Sequence, residues 1–103
     1  MDDAQAVAFY RLAAAQGLDQ AQLMLGEMHL FGYGVARDNA EALRWYQLAA
    51  AQGHPSALYC VAACHENGRG VAADLAEAIR WYRRAQAAGH LYAEDEIEVC
   101  AHA

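Results

Sequence analysis

The stretch DNAEALRWYQLAAAQG, residues 38–53, returns 36 positions later as DLAEAIRWYRRAQAAG, residues 74–89, with no gap. An earlier copy stands at residues 2–17, where Asp2, Ala4, Ala6, Phe9, Tyr10 and Gly17 are in register with Asp38, Ala40, Ala42, Trp45, Tyr46 and Gly53. Asp38 followed three residues later by Glu41 is a capping-box pattern, and Asp74 with Glu77 repeats it. Beyond the cap, Ala42, Trp45, Tyr46, Ala49 and Ala50 recur at helical spacing and predict one apolar stripe. Gly53 ends that helix, because glycine readily takes the left-handed conformation just past a helix terminus.

The other half of the unit repeats as well. Ala21, Ala57 and Ala93 coincide, as do Leu25, Val61 and Ile97, then His29 and His65, Gly32 and Gly68, Gly34 and Gly70, Val35 and Val71. A second helix is predicted from about Pro55, a residue suited to a first turn, with Ala57, Cys60, Val61 and Cys64 on one face. Its counterpart one unit earlier uses Ala21, Met24, Leu25 and Met28. Between the helices the glycine pairs permit a tight reversal with the valine tucked beneath it. Nothing extends these pairs to a dinucleotide or P-loop pattern, so they read as structural. A period of this length means a stacked array of helical units.

Composition narrows the function. The chain has 103 residues, 57% hydrophobic and 19% charged, with 13 acidic against 7 basic side chains and a formal net charge of −6. Burial of about 60–65% of the unfolded chain's surface is expected at this length, so a core forms without metals or disulfides. The apolar content argues against disorder. An acidic chain is a poor phosphate-tracking surface, so no nucleic acid is expected as partner. No apolar run approaches the roughly 18 residues of a membrane span, so no membrane partner is expected either. Lysine and threonine are absent and Ser56 is the only serine, which leaves few nucleophiles. Met1, Asp2 and Asp3 stand where a secretory signal would carry basic residues. Three cysteines, Cys60, Cys64 and Cys100, cannot all pair within one chain. A reducing, cytoplasmic setting is therefore expected, with a periplasmic one open if a signal has been removed.

Taken together, the segments at residues 21–26, 32–38 and 42–53 resemble the Sel-one-like repeat (SLR) family, a relative of the tetratricopeptide repeat with a longer loop inside the helix pair. The resemblance covers essentially the whole chain. It implies an all-α fold, a right-handed α-solenoid of antiparallel helix pairs with about six helices, of the kind bacteria and eukaryotes use to hold protein partners. On that frame the chain is one solenoid domain, 1–103. Residues 2–17 are the second helix of an incomplete first repeat, 18–53 and 54–89 are repeats, and 90–103 form a C-terminal capping helix. Departures support the cap: Glu96 replaces Met24 and Cys60, and Glu98 replaces the small residues Gly26 and Ala62. His29 and His65 stand where the family usually has tyrosine. At the other end Val7, Phe9 and Tyr10 stay apolar with no first helix to cover them, so the array either continues upstream or packs against another molecule, and self-association is expected there.

Candidate chemistry is sparse. Cys60, Cys64 and His65 suggest a metal or thiol redox role, the alternative to a binding function. Their spacing departs from the usual zinc pair, c-type haem signature and redox dithiol, and both cysteines fall on the apolar stripe. Cys64 and Cys100 occupy equivalent places on neighbouring helices about 8–10 Å apart, where a disulfide would strain the backbone, so three free thiols are expected. His54 and His90, at helix starts, are expected to be exposed. Some cysteine-rich members of the family have been linked to β-lactam binding, but Ser56 has no lysine to activate it. No catalytic residue, metal or cofactor is assigned. Acidic residues such as Glu94, Asp95, Glu96 and Glu98 read as a solvated helix start.

What remains is surface for recognition. By analogy with tetratricopeptide arrays, the first helix of each pair lines a concave groove. That places Gln20, Leu23, Glu27 and Leu30 there, followed by Ser56, Tyr59, Ala63 and Glu66, then Tyr92, Asp95 and Val99. An acidic stripe dotted with tyrosines suits a peptide with basic residues. Arg44, Arg80, Arg83 and Arg84 form a basic ridge on the second helices. The expected function is non-catalytic binding of a protein or peptide in the groove.

Overall fold

A computed structural model describes residues 2–90 and 93–101, with only the backbone of residues 94, 95 and 101. Among these residues there are six helices: α1 (Asp3–Ala15), α2 (Asp19–Phe31), α3 (Asn39–Ala51), α4 (Pro55–Asn67), α5 (Leu75–Ala87) and α6 (Ala93–Ala101). The sequence period carries straight into the element boundaries. Asp2, Asp38 and Asp74 cap α1, α3 and α5, each accepting a hydrogen bond from the backbone N–H three residues on, those of Gln5, Glu41 and Glu77. The reciprocal half of the capping box corrects the expectation. It forms at Asp2, whose N–H donates to Gln5 Oε1 at 3.1 Å, while Glu41 instead pairs with Arg44 and Glu77 with Arg80 at 2.8 Å. An arginine one turn along offers the glutamate a charge-assisted partner, and α1 has Ala8 at that place.

The loop after α2 and its copy after α4 lock one repeat onto the next. Gly34 and Gly70 have φ of 74° and 78°. A Cβ there would lie 2.5 Å from the Asp3 carbonyl oxygen and 2.7 Å from that of Asn39. Each turn therefore abuts the first turn of the last helix of the preceding repeat, α1 or α3, with no room for a side chain. Val35 and Val71 tuck into the apolar clusters beneath these turns.

The substantial helix contacts are all between sequence neighbours, and the stack measures 42 × 24 × 18 Å. Alanines sit where the helices meet: Ala42, Ala49, Ala57, Ala78 and Ala85 are fully buried. Tyr46 and Tyr82 are each 1% exposed. The Tyr46 ring lies over Gly26, where a Cβ would come within 2.6 Å of it. Ala62 occupies the equivalent place against Tyr82, and the Tyr82 hydroxyl donates to Glu66 at 2.6 Å. Trp45 and Trp81 are only half-buried, with Arg44 and Arg84 guanidinium groups 5.2 and 4.3 Å from the ring centroids. Part of the expected basic ridge thus lies over the tryptophans.

On α1 the residues equivalent to Ala42, Tyr46 and Ala49, namely Ala6, Tyr10 and Ala13, are only partly buried. Phe9 and Leu12 beside them are 57% and 70% exposed. Among the described residues no helix covers that side. A buried polar link the sequence reading missed ties α1 to the first full repeat. Gln22 donates to the Ala14 carbonyl at 3.3 Å, and Gln52 reaches both Gln22 Oε1 and the Gly17 carbonyl at 2.9 Å.

Candidate interaction groove

The helices α2 and α4 face one another across a cavity of about 120 Å³. From α2 come Glu27, Leu30 and Phe31, and from α4 come Tyr59, Cys60, Ala63 and Cys64. Tyr46 of α3 and Arg69 of the following loop complete the wall. The period explains why a space opens here. Where α2 carries Met24, Glu27 and Met28, α4 carries the smaller Cys60, Ala63 and Cys64. Three shortened side chains on one helical face leave volume that the neighbouring helix does not refill.

The sequence-assigned groove residues divide into several groups. Glu27, Tyr59 and Ala63 are half-buried and meet at the cavity. Leu30 also lines it, although it is only 8% exposed and belongs to the core. Leu23 is a correction: at 6% exposure it is packed in the core, because a helix between two neighbours buries two faces. Gln20 is exposed, Ser56 half-buried, and Val99 59% exposed on α6. Glu66 is engaged by Tyr82. Tyr92 and the Asp95 side chain lie outside the described residues.

Tyr59 is held edge-on to Tyr82 with centroids 5.2 Å apart and stacks on His90 at 4.3 Å. His90 is therefore half-buried, and burial lowers its pKa. His54, also expected to be exposed, caps α4 instead. Its Nδ1 accepts from the Ala57 N–H at 3.3 Å, which leaves Nε2 to donate to Gln20 Oε1 at 3.0 Å. Neither role was visible in the histidine spacing.

The thiols line the cavity without forming a reactive pair. Burial, with Glu27 and Cys64 adding to it, pushes the Cys60 thiol up to about 12. Burial pushes Cys64 up to about 11. Both are neutral thiols at physiological pH, a state unlike the thiolate that metal binding and nucleophilic chemistry use. Their expected companion His65 stacks on Trp81, rings 11° from parallel, away from the cavity wall. Among the described residues no three His, Cys, Asp or Glu side chains are placed to hold a metal ion. Cys60, Cys64 and Cys100 are all free.

Two further residues escaped sequence reasoning. Phe31 and Tyr33 are 57% and 53% exposed, with ring centroids 5.6 Å apart at one lip of the cavity. The signal available was the exchange of methionine for cysteine between repeats, which marks the thinned face of α4.

Helix pairs stacked neighbour on neighbour, with a loop locking each pair to the last, define an α-solenoid of tandem repeats. The chain belongs to the Sel1 repeat family, whose model matches residues 2–18, 19–54 and 55–90. It is similar to c5321, a protective antigen of uropathogenic Escherichia coli strains displaying an SLR fold: 41% identity, a TM-score of 0.87, and coverage of 89% of this chain and 20% of that one. A Sel1 repeat protein from Oxalobacter formigenes shares 34% identity with a TM-score of 0.89, over 95% of this chain and 40% of the other. Cysteine-rich protein B of Helicobacter pylori shares the fold at 17% identity, with a TM-score of 0.85, over 90% of this chain and 70% of that one. No curated protein matches the chain. It thus spans a minor part of the first two solved relatives. No helix of the described residues is long and apolar enough to cross a membrane.

Proposed function

We propose that this chain is a non-catalytic protein-interaction module whose face formed by α2, α4 and α6 holds a segment of a protein partner. The cavity between α2 and α4 is the observation that carries this reading: it brings Glu27, Tyr59 and Ala63 of separate repeats to one concave place. Such a hollow, with aromatic and arginine side chains around it, has the composition of an interaction hot spot. In this reading α6 caps the array, with Glu98 and Val99 exposed on it.

The test compares partner capture by the chain with that by Ser56→Arg and Val99→Arg on the groove, and by Arg83→Glu on α5. Capture falls about tenfold or more with each groove variant and stays within about twofold with the α5 variant. Loss confined to the α5 variant would move the binding face to the other side of the stack.

A second contact is supported by the uncovered side of α1. Phe9, sitting edge-on to Tyr10 with centroids 5.5 Å apart, and Leu12 offer a second copy an apolar surface.

A further inference from the structure

The size and rim of the cavity say what kind of group it holds. At about 120 Å³ it is smaller than the roughly 150 Å³ apolar cavity that accommodates a benzene ring. A single side chain of leucine or methionine size fits it. Leu30, Phe31, Ala63 and the two protonated thiols give it an uncharged, largely apolar wall. Charge is confined to the rim, at Glu27 and Arg69. Neither takes part in an ion pair, since the two ion pairs among the described residues lie within α3 and α5.

Negative charge outweighs positive around this rim. On one side stands Glu27, and beyond Tyr59 both Glu66 and Glu96 act on the Tyr59 hydroxyl, against the single guanidinium of Arg69. A phosphate-bearing ligand meets Glu27 at the rim and two further carboxylates beside Tyr59, whereas a lysine or arginine finds a partner for its charge.

We propose that the cavity is the anchor subsite of the groove: it takes one aliphatic side chain of leucine or methionine size from a protein segment carrying lysine or arginine beside that residue, the base meeting Glu27. This rests on the reading of the concave face as the binding surface and specifies its ligand. The anchor is buried among Leu30, Ala63 and the sulfur atoms, the exposed Phe31 and Tyr33 rings cover the adjoining backbone, and the flanking base stays at the solvated rim. Burial supplies affinity and the carboxylate supplies selection.

A random nonapeptide library displayed on phage and selected on the full chain is the probe. The expected pool is enriched in Leu, Ile or Met next to Lys or Arg. Cys60→Met fills the cavity with the side chain that Met24 already places on the equivalent face of α2, and Ala63→Val fills it less. The selected peptides bind Cys60→Met about tenfold or more weakly and Ala63→Val by an intermediate factor. Glu27→Gln weakens them by about fivefold at low salt, and the difference shrinks as salt is raised. Circular dichroism and thermal unfolding establish that each variant is folded, and Ala63→Val carries the result if Cys60→Met is not. Binding within about twofold on the filled cavity overturns the proposal, as does a pool lacking the aliphatic–basic pair. If Ser56→Arg and Val99→Arg abolish binding while the filled variants keep it, the groove stands and the anchor falls. Peptides that bind all of these variants equally remove both.

Discussion

Cys60 and Cys64 show how a residue's place governs its chemistry. On the sequence they sit beside a histidine and suggest a ligand set; in the fold they are wall material, and burial raises both thiols. The consequence for stability has a definite sign. An unfolded thiol loses its proton near 9.0, whereas the folded ones hold theirs up to about 12 and about 11. Between those values the native state binds more protons than the unfolded state, so stability falls as pH rises through that window. Denaturant unfolding is expected to give a constant midpoint from neutral pH to about 9 and a declining one above it, with Cys60→Ala showing a shallower decline. An unchanged slope in that variant would mean that Cys60 is solvated in the native state.

Among elements, the loops after α2 and α4 carry more of the architecture than their lack of regular structure suggests. Gly70 combines a positive φ with a backbone carbonyl 2.7 Å from where a Cβ would stand, while Gly53, also at positive φ, has nothing within 4 Å. Gly53→Ala therefore meets conformational strain alone, about 1–2 kcal/mol. Gly70→Ala adds displacement of the Asn39 backbone and is expected to cost about 1–3 kcal/mol more. Equilibrium unfolding of the two variants side by side isolates the contact between repeats, and equal losses would show that the turn is not clamped. Helix starts and stops were legible because Asp38, Asp74, Gly53 and Gly89 are local signals that need no knowledge of neighbours. Which face each helix leaves open was not. Leu23 and Leu30 share a stripe with Gln20 and Glu27 on the sequence, yet tertiary packing takes both leucines into the core. The cavity matches no motif for a related reason: it is missing volume, written only in the shortening to Cys60, Ala63 and Cys64 relative to the preceding repeat. The capping box at Glu41 failed because an arginine, not a backbone N–H, was the better partner.

At the scale of the molecule, the fold was fully legible from its 36-residue period, which fixes both the helix pairing and the order of stacking. The same period shows where α1 departs from its later copies. Ala6, Tyr10 and Ala13 are partly open although Ala42, Tyr46 and Ala49 are closed, and Phe9 and Leu12 extend that surface. Self-association through it is expected to appear in light scattering at high micromolar concentration and to be lost in a Phe9→Glu, Leu12→Glu variant. A strictly monomeric wild type would discard this contact while leaving the groove untouched. Because each helix leans chiefly on its sequence neighbours, the array behaves mechanically as a short spring. With the Gly34 and Gly70 turns clamped against the neighbouring backbone, a small change in the angle between one helix pair and the next adds along the stack, so its curvature is a property of the whole array rather than of any single contact.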